Sequence, residues 1–329
     1  MANVFLIGLG AGAASALLFA SIVSGSPLAI LLFYLSALPV MLAAIAWSHM
    51  AGMFALTFGA LSLAAFLNSW IALVYLAAIA TPAYVLAYMA MLGREVAPAS
   101  GTAPAEMEWY PPGRIVLWAA WIAFALVVFV VLQFGTSFEI YKKEIRTTFE
   151  RVLKLQARIA ADQPLKIPGV QNPEQFLNTL VAVMPAAAAL LSMLTSLVNL
   201  WLAGRVALVS GRLRRPWPDL NEISLPPSAA ILLAAALAVS FMTGMPGFIA
   251  AVGVAVLALA YAIAGFSTLH AITRAMSVRT WLLAGAWFSV LVLGWPLLFV
   301  ALLGIADSVF NLRGRRAANQ PPSPPMQRN

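Results

Sequence analysis

The stretch GTSFEIYKKEIRTTFERVLKLQARIAADQPLKIPGVQNPEQ, residues 135–175, decides how the rest of the chain is read. It carries seven Lys/Arg and five Asp/Glu and is the only long polar segment inside the sequence. From Met1 to Gly93 there is no charged side chain, and beyond Gln175 the charges are confined to short islands between apolar runs. A polar segment set between two such blocks is the pattern of a chain that crosses a bilayer repeatedly.

Within the stretch, Phe138, Tyr141, Ile145, Phe149, Val152 and Ile159 recur at spacings of three, four or seven, with Glu139, Lys142, Lys143, Arg146, Glu150, Lys154 and Arg158 between them. The spacing predicts an amphipathic helix with one oily and one charged face. Glu139 with Lys143 and Glu150 with Lys154 stand at i,i+4 in the favourable acid-first order, each contributing roughly 0.2 to 0.5 kcal/mol at a surface. Pro164, Pro168, Gly169 and Pro173 end the helix before the next apolar run. Two readings stay open: a helix lying at the membrane interface or on a partner, and a connector whose oily face packs on its own bundle.

Composition agrees with a membrane solvent. The chain is 63% hydrophobic and 9% charged, where soluble domains carry about 25% charged residues. The net charge of +8 falls in loops and tail, where headgroup attraction and topology account for it without nucleic acid. The absence of cysteine excludes disulfides and thiol chemistry, and two histidines, His49 and His270, lack acidic neighbours at metal-ligand spacing. No cofactor is expected.

Nine runs are long enough to be candidate spans: Val4–Val23, Pro27–Trp47, Ala51–Leu67, Trp70–Leu92, Arg114–Gln133, Phe176–Ala203, Pro227–Thr243, Pro246–Ala271 and Thr280–Ile305. The third and seventh are short, and Trp295-Pro296 inside the last is a point where a helix bends or re-enters, so eight crossings are the alternative. The expected fold is all-α, a polytopic bundle with N-terminal spans in 1–134, the polar connector in 135–175, C-terminal spans in 176–312 and a basic, proline-rich, disordered tail in 313–329. Pro39, Pro82, Pro185 and Pro296 lie inside spans and favour kinks.

Gly8, Gly12, Ala16, Ala20 and Ser24 fall every four residues, a stripe of small side chains where another helix of this chain or of a partner can approach closely. Asn199, Trp201 and Arg205 could align an amide, an aromatic ring and a cation near one membrane face, for a polar site or for interhelical hydrogen bonding. Asp307, the only carboxylate after Glu222, stands at the end of the last apolar run and is expected at the interface, paired with a basic residue. Signatures of zinc hydrolases, nucleotide-phosphate loops and serine hydrolases are absent, so no enzyme activity is expected.

Leu180 to Arg205, with Met184-Pro185 and Asn199-Leu200-Trp201-Leu202-Ala203-Gly204-Arg205, Leu269 to Arg279, and Leu303 to Arg313 resemble the YybS-like family of uncharacterised bacterial integral membrane proteins. That family is distantly similar to the S subunits of energy-coupling-factor vitamin transporters. The resemblance implies an S-subunit-like core in a bacterial cytoplasmic membrane, a bound small molecule, and docking through Gly8, Gly12, Ala16 and Ala20 on a coupling subunit that supplies the energy. Two functions remain open: a substrate-capture subunit of a transporter, or a non-transporting structural or interaction protein of the cell envelope. A lipid-modifying enzyme is the weakest reading.

Overall fold

The structure, a computed structural model, describes residues 2–96, 106–156, 158, 163, 170, 172–274 and 276–318. The breaks expected at Pro164, Pro168 and Gly169, the helical position of Ile159 and residues 319–329 of the tail lie outside the described residues, whereas residues 313–318, expected to belong to the disordered tail, are helical. Among the described residues fourteen α-helices follow in order: α1 Ala2–Ala20, α2 Pro27–Tyr34, α3 Ala37–Ala46, α4 His49–Phe66, α5 Ser69–Tyr75, α6 Thr81–Ala90, α7 Pro112–Gln133, α8 Phe138–Gln156, α9 Pro173–Val209, α10 Pro227–Ser240, α11 Met245–Ile272, α12 Arg279–Leu293, α13 Leu297–Phe310 and α14 Leu312–Ala318. Between α6 and α7, strands β1 Gly93–Val96 and β2 Glu106–Trp109 pair antiparallel with Gly93 opposite Trp109. Apart from this short hairpin the described residues form helices and connecting turns, as expected of an all-α membrane protein.

Among the described residues, seven helical segments are long and apolar enough to cross a membrane: Ala2–Ser24, Pro27–Ala46, His49–Phe66, Ser69–Ala90, Pro112–Gln133, Pro173–Val209 and Met245–Ile272. The third expected run is one of them. The seventh is a helix of 14 residues, about 21 Å long against roughly 30 Å of hydrocarbon. The ninth divides into α12 and α13, because Gly294 takes a left-handed φ of 73° and Pro296 follows it.

The prolines shape the other spans too. Pro39 has no N–H for the carbonyl of Leu35, and the second span is broken there into α2 and α3. Pro82 likewise leaves the Ala78 carbonyl without its i+4 donor, and the turn before it, Leu76–Ala80, widens to a π-helix in which Thr81 N–H reaches back to Leu76. Ser26, Ser48, Asn68 and Asn172 each accept a backbone N–H at the start of α2, α4, α5 and α9, satisfying donors that the helix leaves free.

The chain forms two compact units. The first comprises residues 1–110, 115–217 and 235–256. Its innermost helix is α3, where Val40, Met41 and Ala43 are fully buried against α1, α4, α6 and α9. Tyr141 of α8 is buried with Val131, Val181 and Met245, and its ring lies 5.0 Å from that of Phe248. The oily face of the connector helix therefore packs on the chain's own helices. Its Tyr141 hydroxyl donates to the carbonyl of Val181 at 3.4 Å, and burial pushes its pKa up to about 12. Glu150 and Lys154 form the expected ion pair at 3.0 Å.

The second unit comprises residues 111–114, 218–234 and 257–329. Its helices α11 and α13 approach so closely that a Cβ on Gly265 would meet the Val300 carbonyl, and one on Gly304 the Tyr261 carbonyl. The rings of Phe266 and Trp287 stack at 4.0 Å beside this crossing.

Candidate functional site

The small-residue stripe of α1 faces α4. A Cβ on Gly8 would collide with Cβ of Phe54, and one on Gly12 would lie 2.5 Å from the Ala55 carbonyl oxygen and 2.9 Å from the Gly59 nitrogen. Ala16 is buried in the same seam and Ala20 packs at its edge. Beside the stripe, Ser15 donates to the Ser36 carbonyl at 2.6 Å and accepts, also at 2.6 Å, from Tyr75; its single proton is committed to Ser36, so the Tyr75 hydroxyl is the donor to Ser15.

Asn199 is buried and its amide donates to the carbonyls of Tyr34 and Thr195, both at 2.8 Å. The Tyr34 carbonyl is at the end of α2, where the break before α3 leaves it without a helical donor. Asn199 thus ties α9 to that break. Trp201 and Arg205 lie on the exposed side of α9, with the Arg205 guanidinium 5.2 Å above the ring of Trp217. The amide is therefore on the opposite side of the helix from the aromatic and the cation, and the three do not form one site.

Asp307 belongs to the second unit. It is buried and paired with Arg313, whose Nε donates to it at 2.8 Å. The same guanidinium donates to the carbonyls of Asn221 at 2.7 Å and Ile223 at 3.0 Å and to the Ser267 hydroxyl at 3.2 Å. With every Arg313 donor nitrogen engaged, this is a staple holding residues 221–223 to α11 and α13. In the same unit Asp219 pairs with Arg274 at 2.6 Å, and the Asn221 backbone N–H, followed by that guanidinium, holds its carboxyl below the usual range.

Polar groups, aromatic rings and open space converge at one end of the first unit, where the C-terminal ends of α3, α6 and α9 gather. A cavity of about 280 Å³ opens there, walled by Trp47, Ser48 and His49 of the α3–α4 turn, Tyr88, Met91 and Leu92 at the end of α6, Trp109 of β2, and Arg214 beyond α9. The edge of the His49 ring meets the Tyr88 ring at 6.1 Å.

Arginines fix these walls. Helix α9 ends in a Schellman turn: Gly211 adopts φ 67°, its N–H bonds the Leu208 carbonyl, and Arg212 N–H bonds that of Ala207 at 2.8 Å. The turn directs residues 212–215 across the ends of α3 and α6. Arg212 lies over the Trp47 ring at 4.7 Å, and Arg214 Nη2 donates to the Trp47 carbonyl at 3.0 Å. Arg215 Nη1 donates to the Ala90 carbonyl at 2.8 Å, with the Trp109 ring 5.9 Å from its guanidinium. Arg215 is 9% exposed, and burial pulls its pKa below the usual value. Capping carbonyls at helix C-termini is a favourable use of a cation. Among the described residues, however, Arg212, Arg214 and Arg215 have no carboxylate partner; Glu108, next to Trp109, is taken by Arg94 at 2.6 Å. Three helix ends at roughly −0.5 charge each offset only about half of three guanidinium charges.

Sequence reasoning weighed His49 as a metal ligand and missed Trp47, Tyr88, Trp109 and the three arginines as a group. The available signal was the recurrence of Trp, Tyr and Arg at the ends of apolar runs, the composition of a membrane interface. Among the described residues no three of His, Asp and Glu come together as metal ligands.

No curated protein and no solved structure matches the chain. A family model described as a predicted membrane protein (DUF2232) matches residues 13–308, from the first span to the Asp307 end of α13. By sequence as by its apolar helices, the chain belongs to the DUF2232 family of membrane proteins.

Proposed function

We propose that this chain is a solute-binding membrane protein without catalytic activity, acting as the capture subunit of a transporter in a bacterial cytoplasmic membrane and relying on partner subunits for energy. The observation that carries the reading is the cavity between Trp47, His49, Tyr88, Trp109 and Arg214: a concave site, largely aromatic and apolar, with a few convergent polar groups, is the usual form of a small-molecule pocket. The resemblance to the YybS-like family and to S subunits of energy-coupling-factor transporters supports it. Because α4 covers Gly8 and Gly12, a coupling subunit would meet the outward side of α1, around Leu6 and Leu17, which is exposed.

One observation favours the second reading, a non-transporting interaction protein of the envelope. With its oily face committed to Val181 and Phe248, α8 turns Lys143 and Glu144 outward, a charged surface suited to a partner rather than to lipid. Native mass spectrometry of the protein extracted gently from its own membranes separates the two. A bound small molecule with a coupling subunit and an ATPase is the expected result; envelope proteins bound without a small molecule would replace the first reading by the second.

A further inference from the structure

A second concavity lies beside the first. A groove of about 310 Å³ runs between α6 and α7, lined by Ala77, Thr81 and Val85 on one side and Trp118, Ala125 and Phe129 on the other. Its walls are apolar except for Thr81. Ala77, Thr81, Val85 and Tyr88 are spaced by four, four and three residues, so the helix face that forms the groove continues into the cavity, whose wall includes Tyr88. Tyr110 ties the two together: its N–H bonds the carbonyl of Leu92, a cavity wall, at 2.9 Å, and its hydroxyl accepts from Nε1 of Trp118, a groove wall, at 3.0 Å.

From Ala77 to Tyr88 the helix rises roughly 16 Å, close to the ~15 Å thickness of one leaflet's hydrocarbon. The groove end of this surface is apolar, and the cavity end carries Arg214, with Arg212 and Arg215 behind its tryptophan walls and no carboxylate paired with them among the described residues. Guanidinium groups recognise phosphate through N–H donors, and Arg214 spends one Nη2 N–H on the Trp47 carbonyl, with no partner for its other donors among the described residues. Head and tail chemistry thus follow one another along a single helix face.

We infer that the cavity and the groove form one site for an amphiphile, a phosphate-bearing headgroup held at Arg214 between Trp47, His49 and Tyr88 and an apolar chain laid between α6 and α7. The inference rests on the solute-binding reading and names the class of solute. A soluble phosphate would use the cavity alone, and a neutral lipid the groove alone.

The test is equilibrium binding to the full-length protein in a neutral detergent, with dioleoyl phosphatidylglycerol, dioleoyl phosphatidylcholine and glycerol 3-phosphate as probes. The expected result is phosphatidylglycerol bound about tenfold or more tightly than either of the others. Arg214→Gln should remove that preference. Ala125→Trp, at an exposed position that fills the groove, should weaken phosphatidylglycerol while leaving the weak binding of glycerol 3-phosphate unchanged; it keeps the test open if Arg214→Gln does not fold. Equal affinity for both lipids would overturn headgroup recognition. Glycerol 3-phosphate binding as tightly as the lipid would overturn the amphiphile and leave the solute-binding reading intact. The same would follow if none of the probes bound while the natively extracted protein carried a different solute. No bound molecule in either experiment would remove both.

Discussion

Arg215 and Ala90, 125 positions apart in sequence, are joined by a 2.8 Å hydrogen bond from the guanidinium to the last turn of α6. That bond fastens the chain leaving α9 across the end of the helix that supplies Tyr88 and Met91 to the cavity. A charge-assisted bond to a partly buried carbonyl contributes about 1.5 to 3 kcal/mol, and its removal leaves the acceptor unpaired. Arg215→Met should therefore lower the melting temperature in detergent, and hydrogen exchange should accelerate at residues 88–92. Unchanged exchange there would mean that the cavity wall does not depend on Arg215.

The α1–α4 seam separates glycines that must be glycine from one that need not be. Any side chain at Gly12 meets backbone of α4 within 2.5 to 2.9 Å, whereas a Cβ at Gly10 has nothing within 4 Å. Gly12→Leu should cost more than the usual 1 to 3 kcal/mol of an overpacked core, because the obstacle is backbone and does not yield. Gly10→Ala should be neutral or stabilise by up to about 1 kcal/mol through helix propensity. Thermal unfolding of the two variants measures the difference; similar melting temperatures would contradict the packing described.

Tyr141 predicts a pH dependence. Its folded pKa, raised to about 12 by burial against an ordinary value of 10.0, means that the folded state holds the phenolic proton more firmly than the unfolded one. The stabilisation is complete below pH 10 and is lost as pH rises from 10 to 12. Docking of α8, followed by protease cleavage within residues 138–156, should weaken across that window. Tyr141→Phe should keep the docking and remove the contribution of this group, while Tyr141→Ala should release the helix at neutral pH.

Asp307→Asn leaves the Arg313 guanidinium without its counter-charge among the Asn221 and Ile223 carbonyls. Breaking one side of a buried pair costs about 3 to 5 kcal/mol, and the loss should appear as faster hydrogen exchange in residues 221–225. A variant with wild-type protection there would show that the staple is dispensable.

Much of this architecture was legible from residue patterns. The three- and four-residue spacing from Phe138 to Val152 gives α8, and the length of each uncharged run gives most of the spans. The break at Gly294 to Pro296 was visible as a Trp-Pro step inside a long run. The Gly93–Trp109 hairpin was not, since its strands are only four residues each and carry mixed charges without an apolar alternation. Nor was the cavity, because Trp47, Ala90, Trp109 and Arg215 meet only when three helix ends are brought to one place. Asn199 and Arg205 illustrate the same limit: six positions apart on one helix, they lie on different sides, and burial of the amide is decided by the broken end of α2.

The most direct measurement replaces Tyr88 by the photo-reactive p-benzoylphenylalanine, illuminates native membranes and identifies what becomes attached by mass spectrometry. The account predicts a covalent adduct with a small molecule or lipid, diminished when Arg214→Gln is combined with it. Crosslinks only to other proteins, or to the chain's own residues, would contradict a ligand site at the ends of α3, α6 and α9.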